Sequence, residues 1–261
     1  MAGSRVPDDL VVQSHRGPYR VQFERGAFQG LRDSDPGTTF AVVDRRVADL
    51  YESQLGDVLQ RSSTLFVEAT EANKSLESLP DYVEHLVQQG IRKPHVLVAI
   101  GGGIVQDIAC FLAATLLRGL RWHFFPTTLL AQADSCIGSK SSINVRSTKN
   151  AVGTFTPPEQ VVIDVTVLET LDAAEIRSGV GEMLKVHAIA GPDTFDEIAA
   201  DYKRLLTDRA LLEDYIVGSL KLKRVLIEED EFDEGPRRIM NYGHSFGHAI
   251  ESATGYAIPH G

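Results

Sequence analysis

The 261-residue sequence predicts an α/β protein, with a Rossmann-like parallel-sheet domain over residues 1–165 followed by a mostly α-helical domain over 166–261. Two observations predict it. In the first part, short, apolar, β-branched runs alternate with longer amphipathic stretches, as expected where helices cover both faces of a parallel sheet. Beyond residue 165 the β-branched runs stop and long segments of 3.6-residue period take over.

In chain order, FAVVD (40–44) and STLFVEA (63–69) read as strands, and Ser75 to Gly90 as an amphipathic helix. HVLVAIGGG (95–103) is a buried strand that runs into three glycines and then a helix, and HFFPTT (123–128) closes another strand. VVIDVTVLETL (161–171) is the transition. Three helices follow, in AAEIRSGVGEMLKVHAIA, TFDEIAADYKRLL and ALLEDYIVGSLKLKRVLIEED. The chain stops at Pro259-His260-Gly261, directly after candidate functional residues, so the helical domain reads as incomplete.

Composition narrows the function classes. A formal net charge of -10 sets a field that repels a phosphate backbone, so nucleic acid is not expected as a partner. Small anions remain admissible, because salt screens net charge beyond roughly 10 Å and local Lys and Arg clusters then decide. Two cysteines, Cys110 and Cys136, are too few for a disulfide framework and fit a reducing compartment. No apolar run approaches the roughly 20 residues that span a bilayer, and MAGSRVPDDL has no secretory pattern. The expectation is a cytoplasmic protein with no membrane partner.

Several segments carry chemistry. The strand–GGG–helix unit lets backbone N–H groups approach a pyrophosphate at a helix N-terminus, although it is not the G-x-G-x-x-G fingerprint. The next segment concentrates Thr127, Thr128, Asp134, Lys140, Asn144, Lys149 and Asn150 between apolar stretches framed by glycine and proline, which suggests a lined cleft. GVGEMLK then puts Glu182 and Lys185 on one helical face, and NYGHSFGHAIE puts His244 and His248 on another. With His260 these offer the O and N donors that suit Zn or Co, and spacing alone favours His244 with His248. Lys223, Arg237 and Asn241 lie just upstream, Arg237 being suited to forked binding of a carboxylate.

Taken together, GGGIVQD, ATLLRG, PTTLLAQADSCIGSK, IN, KN, GEMLK and R-x-x-x-N-Y-G-H-S-F-G-H-A-I-E resemble dehydroquinate synthase and its sugar phosphate cyclase relatives, in order and spacing, over residues 40 to 261. The resemblance implies an NAD site at Asp44, Glu71, Lys74, Gly102, Gly103, Asp107, Thr127, Thr128 and Leu130, closed by Lys140, Lys149, Thr170 and Leu171, with the carboxylates on the adenosine ribose. It implies a divalent metal, Zn or Co, on Glu182, His244 and His260, leaving His248 as a substrate contact. Asp134, Lys140, Asn150, Lys185, Lys223, Arg237, Asn241 and His248 would line the substrate pocket. Arg118 would reach a neighbouring subunit's phosphate site, implying a homodimer.

The activity so implied is a carbon–oxygen lyase reaction that turns 3-deoxy-D-arabino-heptulosonate 7-phosphate, a sugar acid phosphate, into 3-dehydroquinate and phosphate. It proceeds by transient oxidation, phosphate elimination, re-reduction and aldol closure. Gln106 departs from the family, standing where a glycine is usual, and Ser139, Ser141 and Ser142 alter the surroundings of Lys140. The alternatives are a cyclase acting on sedoheptulose 7-phosphate or an amino-sugar substrate, a metal- and NAD-dependent polyol dehydrogenase, and a degenerate NAD-binding dimer without turnover.

Overall fold

The computed structural model describes residues 8–32, 35, 37–254 and 258, apart from the side chains of Ser245, His248 and Ser252. It is a mixed α/β fold built on a seven-stranded sheet. The strands are β1 (Leu10–Val12), β2 (Tyr19–Phe23), β3 (Thr39–Asp44), β4 (Thr64–Val67), β5 (Val96–Gly101), β6 (Arg121–Pro126) and β9 (Gln160–Ile163), in the order β1-β2-β9-β6-β5-β3-β4. All neighbours are parallel except β1 on β2. A separate antiparallel hairpin pairs β7 (Ile143–Val145) with β8 (Thr148–Val152).

Alternation along the strands divides the core in two. On β5, Leu97 and Ala99 face one buried cluster, whereas Val96, Val98 and Ile100 face the other. The second face is covered by the short helices α1 (Ala27–Arg32), α2 (Arg45–Leu50), α3 (Glu52–Leu55) and α4 (Asp57–Gln60), through Phe28, Leu31, Val47 and Leu55. The first face is covered by α5 (Leu79–Gln88) and α6 (Gly103–Thr115). The same cluster continues without a break into α7 (Ala173–Ala190), α8 (Pro192–Leu205) and α9 (Arg209–Glu229), through Ile176, Val180, Ile198, Leu212 and Leu220. A 3-10 turn over Pro236–Asn241 and α10 (His244–Ala253) complete the described chain. No helix among the described residues is long and apolar enough to cross a membrane.

Two departures from the sequence expectation have local causes. The helix expected from Ser75 begins at Leu79, because Lys74 to Leu76 are drawn into backbone hydrogen bonds with Asn144 and Pro80 fixes the first turn. β1, β2 and the β7–β8 hairpin, absent from the reading of the sequence, are strands of three to five residues held by register rather than by a long apolar pattern.

The strand order sets the site. The chain goes from β3 outward to β4 and then returns across β3 to β5, so the β3–β5 gap is a switch point. Crevices at such points, outside the carboxyl ends of the strands, are where open α/β sheets bind ligands.

Candidate active site

Two joined cavities open along that crevice. The smaller, about 380 Å³, is lined by Asp44 at the end of β3, Gly102 and Gly103 after β5, Thr127 and Thr128 after β6, and Thr170 with Leu171. The larger, about 590 Å³, extends over Lys74, Asp134, Lys140, Lys223, Arg237 and His244. Gly103, Ile104, Thr128 and Glu175 line both.

The β5–α6 turn is glycine-rich because it is crowded. A Cβ on Gly101 would lie 2.6 Å from Val105, and one on Gly102 would lie 2.8 Å from Thr128. At Gly103 a Cβ would meet nothing nearer than Ser135 Oγ at 4.0 Å, so the helix N-terminus is left open to the cavity. Asp44 caps α2 by accepting from Arg46 N at 3.0 Å; burial raises its pKa against that hydrogen bond. Tyr51 fixes the opposite wall, its hydroxyl 2.9 Å from Thr170 Oγ1.

On the wall of the larger cavity Lys74 is buried and donates to Asp107 at 3.2 Å and Asn150 at 3.3 Å, with Glu71 at 3.4 Å. Burial pushes Asp107 up to about 6, although Lys74 pulls the other way. Glu71 moves below its ordinary value: burial opposes this, but hydrogen bonding from Asn144 and the charge of Lys74 outweigh it. Asn144 donates to Glu71 at 2.9 Å and accepts from Asn150 N at 2.9 Å, which ties the β7–β8 hairpin to this cluster. Asn150 itself holds a left-handed backbone, φ 52°.

Asp134 sits on a π-helical turn, Ala131–Ser135, a geometry that recurs at functional positions. Gln132 anchors the turn by donating to the carbonyls of Pro126 and Asp164, and Gln106 exchanges hydrogen bonds with Ser135. Lys223 replaces an apolar residue on the buried stripe Ile216–Leu220–Ile227 of α9 and donates to Asp134 O at 2.7 Å, with Oδ1 at 2.9 Å. Burial lowers its pKa, Asp134 opposes the shift, and the nearby Arg237 adds to it. Lys140 pairs with Asp233, which also accepts from Asn241 at 3.1 Å. Burial resists ionisation of Asp233, but these bonds and the charges of Lys140 and Arg237 hold its pKa below the ordinary value.

On α7, opened by a reciprocal capping box between Asp172 and Glu175, residues Glu175, Ser178, Glu182 and Lys185 share one face. Glu182 is buried and ion-paired with Lys185. His244 lines the larger cavity from the start of α10. Among the described residues no group of three His, Cys, Asp or Glu side chains is disposed to hold a metal. The proposed third ligand, His260, and the side chain of His248 lie outside the described residues. A buried carboxylate and an imidazole are donors that Zn or Co accepts, so the two described residues fit the ion in chemistry.

The nominated dinucleotide residues thus divide. Asp44, Gly102, Gly103, Thr127, Thr128, Thr170 and Leu171 line the smaller cavity, while Glu71, Lys74, Asp107, Leu130, Lys140 and Lys149 line the larger one. Asp44 and Glu71, expected to act together, face different cavities, Glu71 being turned toward Lys74 and Asn144. Arg118 lies on an exposed turn at the far end of α6. Asp233 was missed, hidden in the acidic run EDEFDEG, and so were Glu175 and Ser178, which the helical spacing back from Glu182 would have found.

The sequence profile of the 3-dehydroquinate synthase N-terminal region matches residues 64–178, and that of the C-terminal region matches residues 179–261. The chain is 39% identical to a 3-dehydroquinate synthase of Enterococcus faecalis over 95% of its own length and 72% of the relative's. It is 36% identical to one of Streptococcus thermophilus, over 97% and 74%. Among solved structures it is similar to ValA, a 2-epi-5-epi-valiolone synthase of Streptomyces hygroscopicus with NAD+ and Zn2+ bound, at TM-score 0.80 and 27% identity over 93% of this chain and 70% of that one. It shares its fold with a 2-deoxy-scyllo-inosose synthase, at TM-score 0.83 and 23% identity over 97% and 74%.

Proposed function

The chain belongs to the 3-dehydroquinate synthase family, and from that membership we propose that it converts 3-deoxy-D-arabino-heptulosonate 7-phosphate to 3-dehydroquinate and phosphate. The observation that carries the choice of substrate is the buried Arg237, beside Lys223 and Lys140, in a cavity joined to the glycine-lined crevice. A forked guanidinium matches a carboxylate, and lysine ammonium groups match a phosphate.

In this reading residues 1–165 form the NAD-binding domain and residues 166–261 bring the metal- and substrate-binding groups. NAD occupies the smaller cavity against Gly102, Gly103, Thr127 and Thr128, with Asp44 on a ribose. Glu182, His244 and His260 hold a divalent Zn or Co. Bound there, the two groups supply reversible hydride transfer and polarisation of substrate hydroxyls.

The chain's own residues bind and orient. Arg237 and Asn241 take the carboxylate end, and Lys140, Lys185, Asn150 and His248 take hydroxyls and phosphate. Asp134 and Lys223 keep the floor of the cavity charged but neutral in sum. Positioning of this kind does most of the work where the departing phosphate can accept the proton itself. Arg118 serves the site of a second copy, making the active form a homodimer.

The test is phosphate release by the metal-loaded protein with catalytic amounts of NAD, with the carbocycle identified. Turnover of the deoxyheptulosonate phosphate is expected. Turnover of sedoheptulose 7-phosphate alone would overturn the substrate choice, and net formation of NADH would overturn the reaction class.

A further inference from the structure

The β1–β2 hairpin lies outside both profile matches and contributes no residue to either cavity, yet it is joined to the loop that carries Arg237. Gln13 N donates to Glu228 at 2.9 Å and Arg224 donates to Val11 O at 3.3 Å, which fastens the hairpin along the end of α9. At its turn, His15 grips one carboxylate twice. Its backbone N donates to Glu231 Oε2 at 2.6 Å, and its Nδ1 lies 2.9 Å from Oε1. Phe232, the next residue, packs between the rings of His15 and Phe155, at 5.3 and 5.1 Å.

Glu231 in turn backs the arginine, its carbonyl accepting from Arg237 Nη1 at 2.5 Å. Nη2 is bounded on the other side by Gly138, where a Cβ would lie 3.2 Å away. The Gly138 N–H donates to the hydroxyl of Tyr19, a second hairpin residue, at 2.8 Å. The residue whose carbonyl supports the guanidinium, and the glycine that bounds it, are therefore both held by the hairpin. A planar fork recognises a carboxylate through its orientation, and a site residue is as well placed as the contacts that lock it.

We propose that the hairpin is part of the substrate-binding apparatus and that His15, through Glu231, is a positioning residue for Arg237. The proposal rests on the reading of Arg237 as the residue that binds the substrate carboxylate.

The variants are His15→Ala, His15→Asn, Glu231→Ala and the alanine double variant, each measured for KM, kcat, NAD affinity, Tm and hydrogen exchange over residues 230–238. His15→Ala should raise KM for the deoxyheptulosonate phosphate on the order of tenfold, the weight of one charge-assisted bond, and leave kcat and NAD affinity near wild type. Asn can donate to Glu231 from the place of Nδ1, so His15→Asn should restore KM. The double variant should be no worse than Glu231→Ala, because the two act in series. Exchange over 230–238 should quicken in His15→Ala and return in His15→Asn.

Wild-type protein that fails to turn over this substrate would sink the functional reading, while the exchange data would still test the clamp. Unchanged exchange and KM in His15→Ala, an Asn variant as impaired as the alanine one, or a loss that shows only in Tm or falls on kcat and KM alike, would overturn the positioning role.

Discussion

Lys223 is the residue where burial and charge oppose each other most directly. Its stem continues an apolar stripe of α9, and its ammonium is neutralised by Asp134 while Arg237 repels it. Removing one partner of a buried pair typically costs about 3–5 kcal/mol, because the other charge stays behind without compensation. Asp134→Asn should therefore lower Tm by several degrees and abolish turnover. Adding Lys223→Met should recover the stability but not the activity. A single Asp134→Asn variant that melts like wild type would show that this pair does not secure the floor of the cavity. Asp107 makes a prediction of opposite sign. Its pKa rises from 3.8 to about 6, mainly through burial, so between those values the folded state keeps a proton that the unfolded chain has released. Its contribution to stability is present below pH 3.8 and is lost as pH rises through about 6. Denaturant unfolding of Asp107→Asn beside wild type should show the variant gaining in relative stability across this window, and parallel pH curves would refute the shift.

At the scale of elements, the close approach of α7 to the π-helical turn shapes the site. A Cβ on Gly179 would lie 2.4 Å from Leu129 Cγ, so the helix rests directly on the residue that leads into that turn. Gly179→Ala should cost about 1–3 kcal/mol of overpacking and, because Ser178 and Glu182 flank it, depress kcat as well. Leu129→Ala should relieve part of both losses, and a Gly179→Ala variant with wild-type Tm and kcat would contradict the contact. Gly179 could be read in the sequence as part of a motif, not as a contact. What was legible follows from pattern length. The apolar run into GGG marked the β5–α6 turn, and 3.6-residue periods marked α7 to α9, because each signal spans many residues. Lys223 and Arg237 were legible only by their place just upstream of the histidine motif. The hairpin that carries His15 has strands of three and five residues, and Asp233 is one acid among several, so neither had a local signature. The separation of Asp44 from Glu71 depends on how loops turn after β3 and β4, which spacing does not encode.

For the whole molecule, the telling feature is a strained turn whose residues line neither cavity of their own chain. Leu117 and Arg118 both hold left-handed backbones, φ 50° and 63°, at a cost of order 1–3 kcal/mol each. Lys93 donates to the carbonyls of Leu117, Arg118 and Gly119 at 3.2, 3.1 and 2.5 Å and so keeps the turn in this shape. The 13 residues of α6 separate it from the Gly103 end of the cavity, about 20 Å at 1.5 Å per residue, which is more than an arginine side chain spans. Arg118 can then act on a site of this kind only in another copy, as in the proposed homodimer. Subunit exchange tests this. Arg118→Ala and Lys140→Ala dimers should each be nearly inactive alone. Mixed equally and allowed to exchange, half the dimers pair one of each, and each of these holds one site with Lys140 of its own and Arg118 of its partner. Activity should recover to about a quarter of wild type. If Arg118 served its own chain, every site in the mixed dimer would lack one of the two residues. In that case no recovery would follow exchange, which mass spectrometry of the mixture would verify independently.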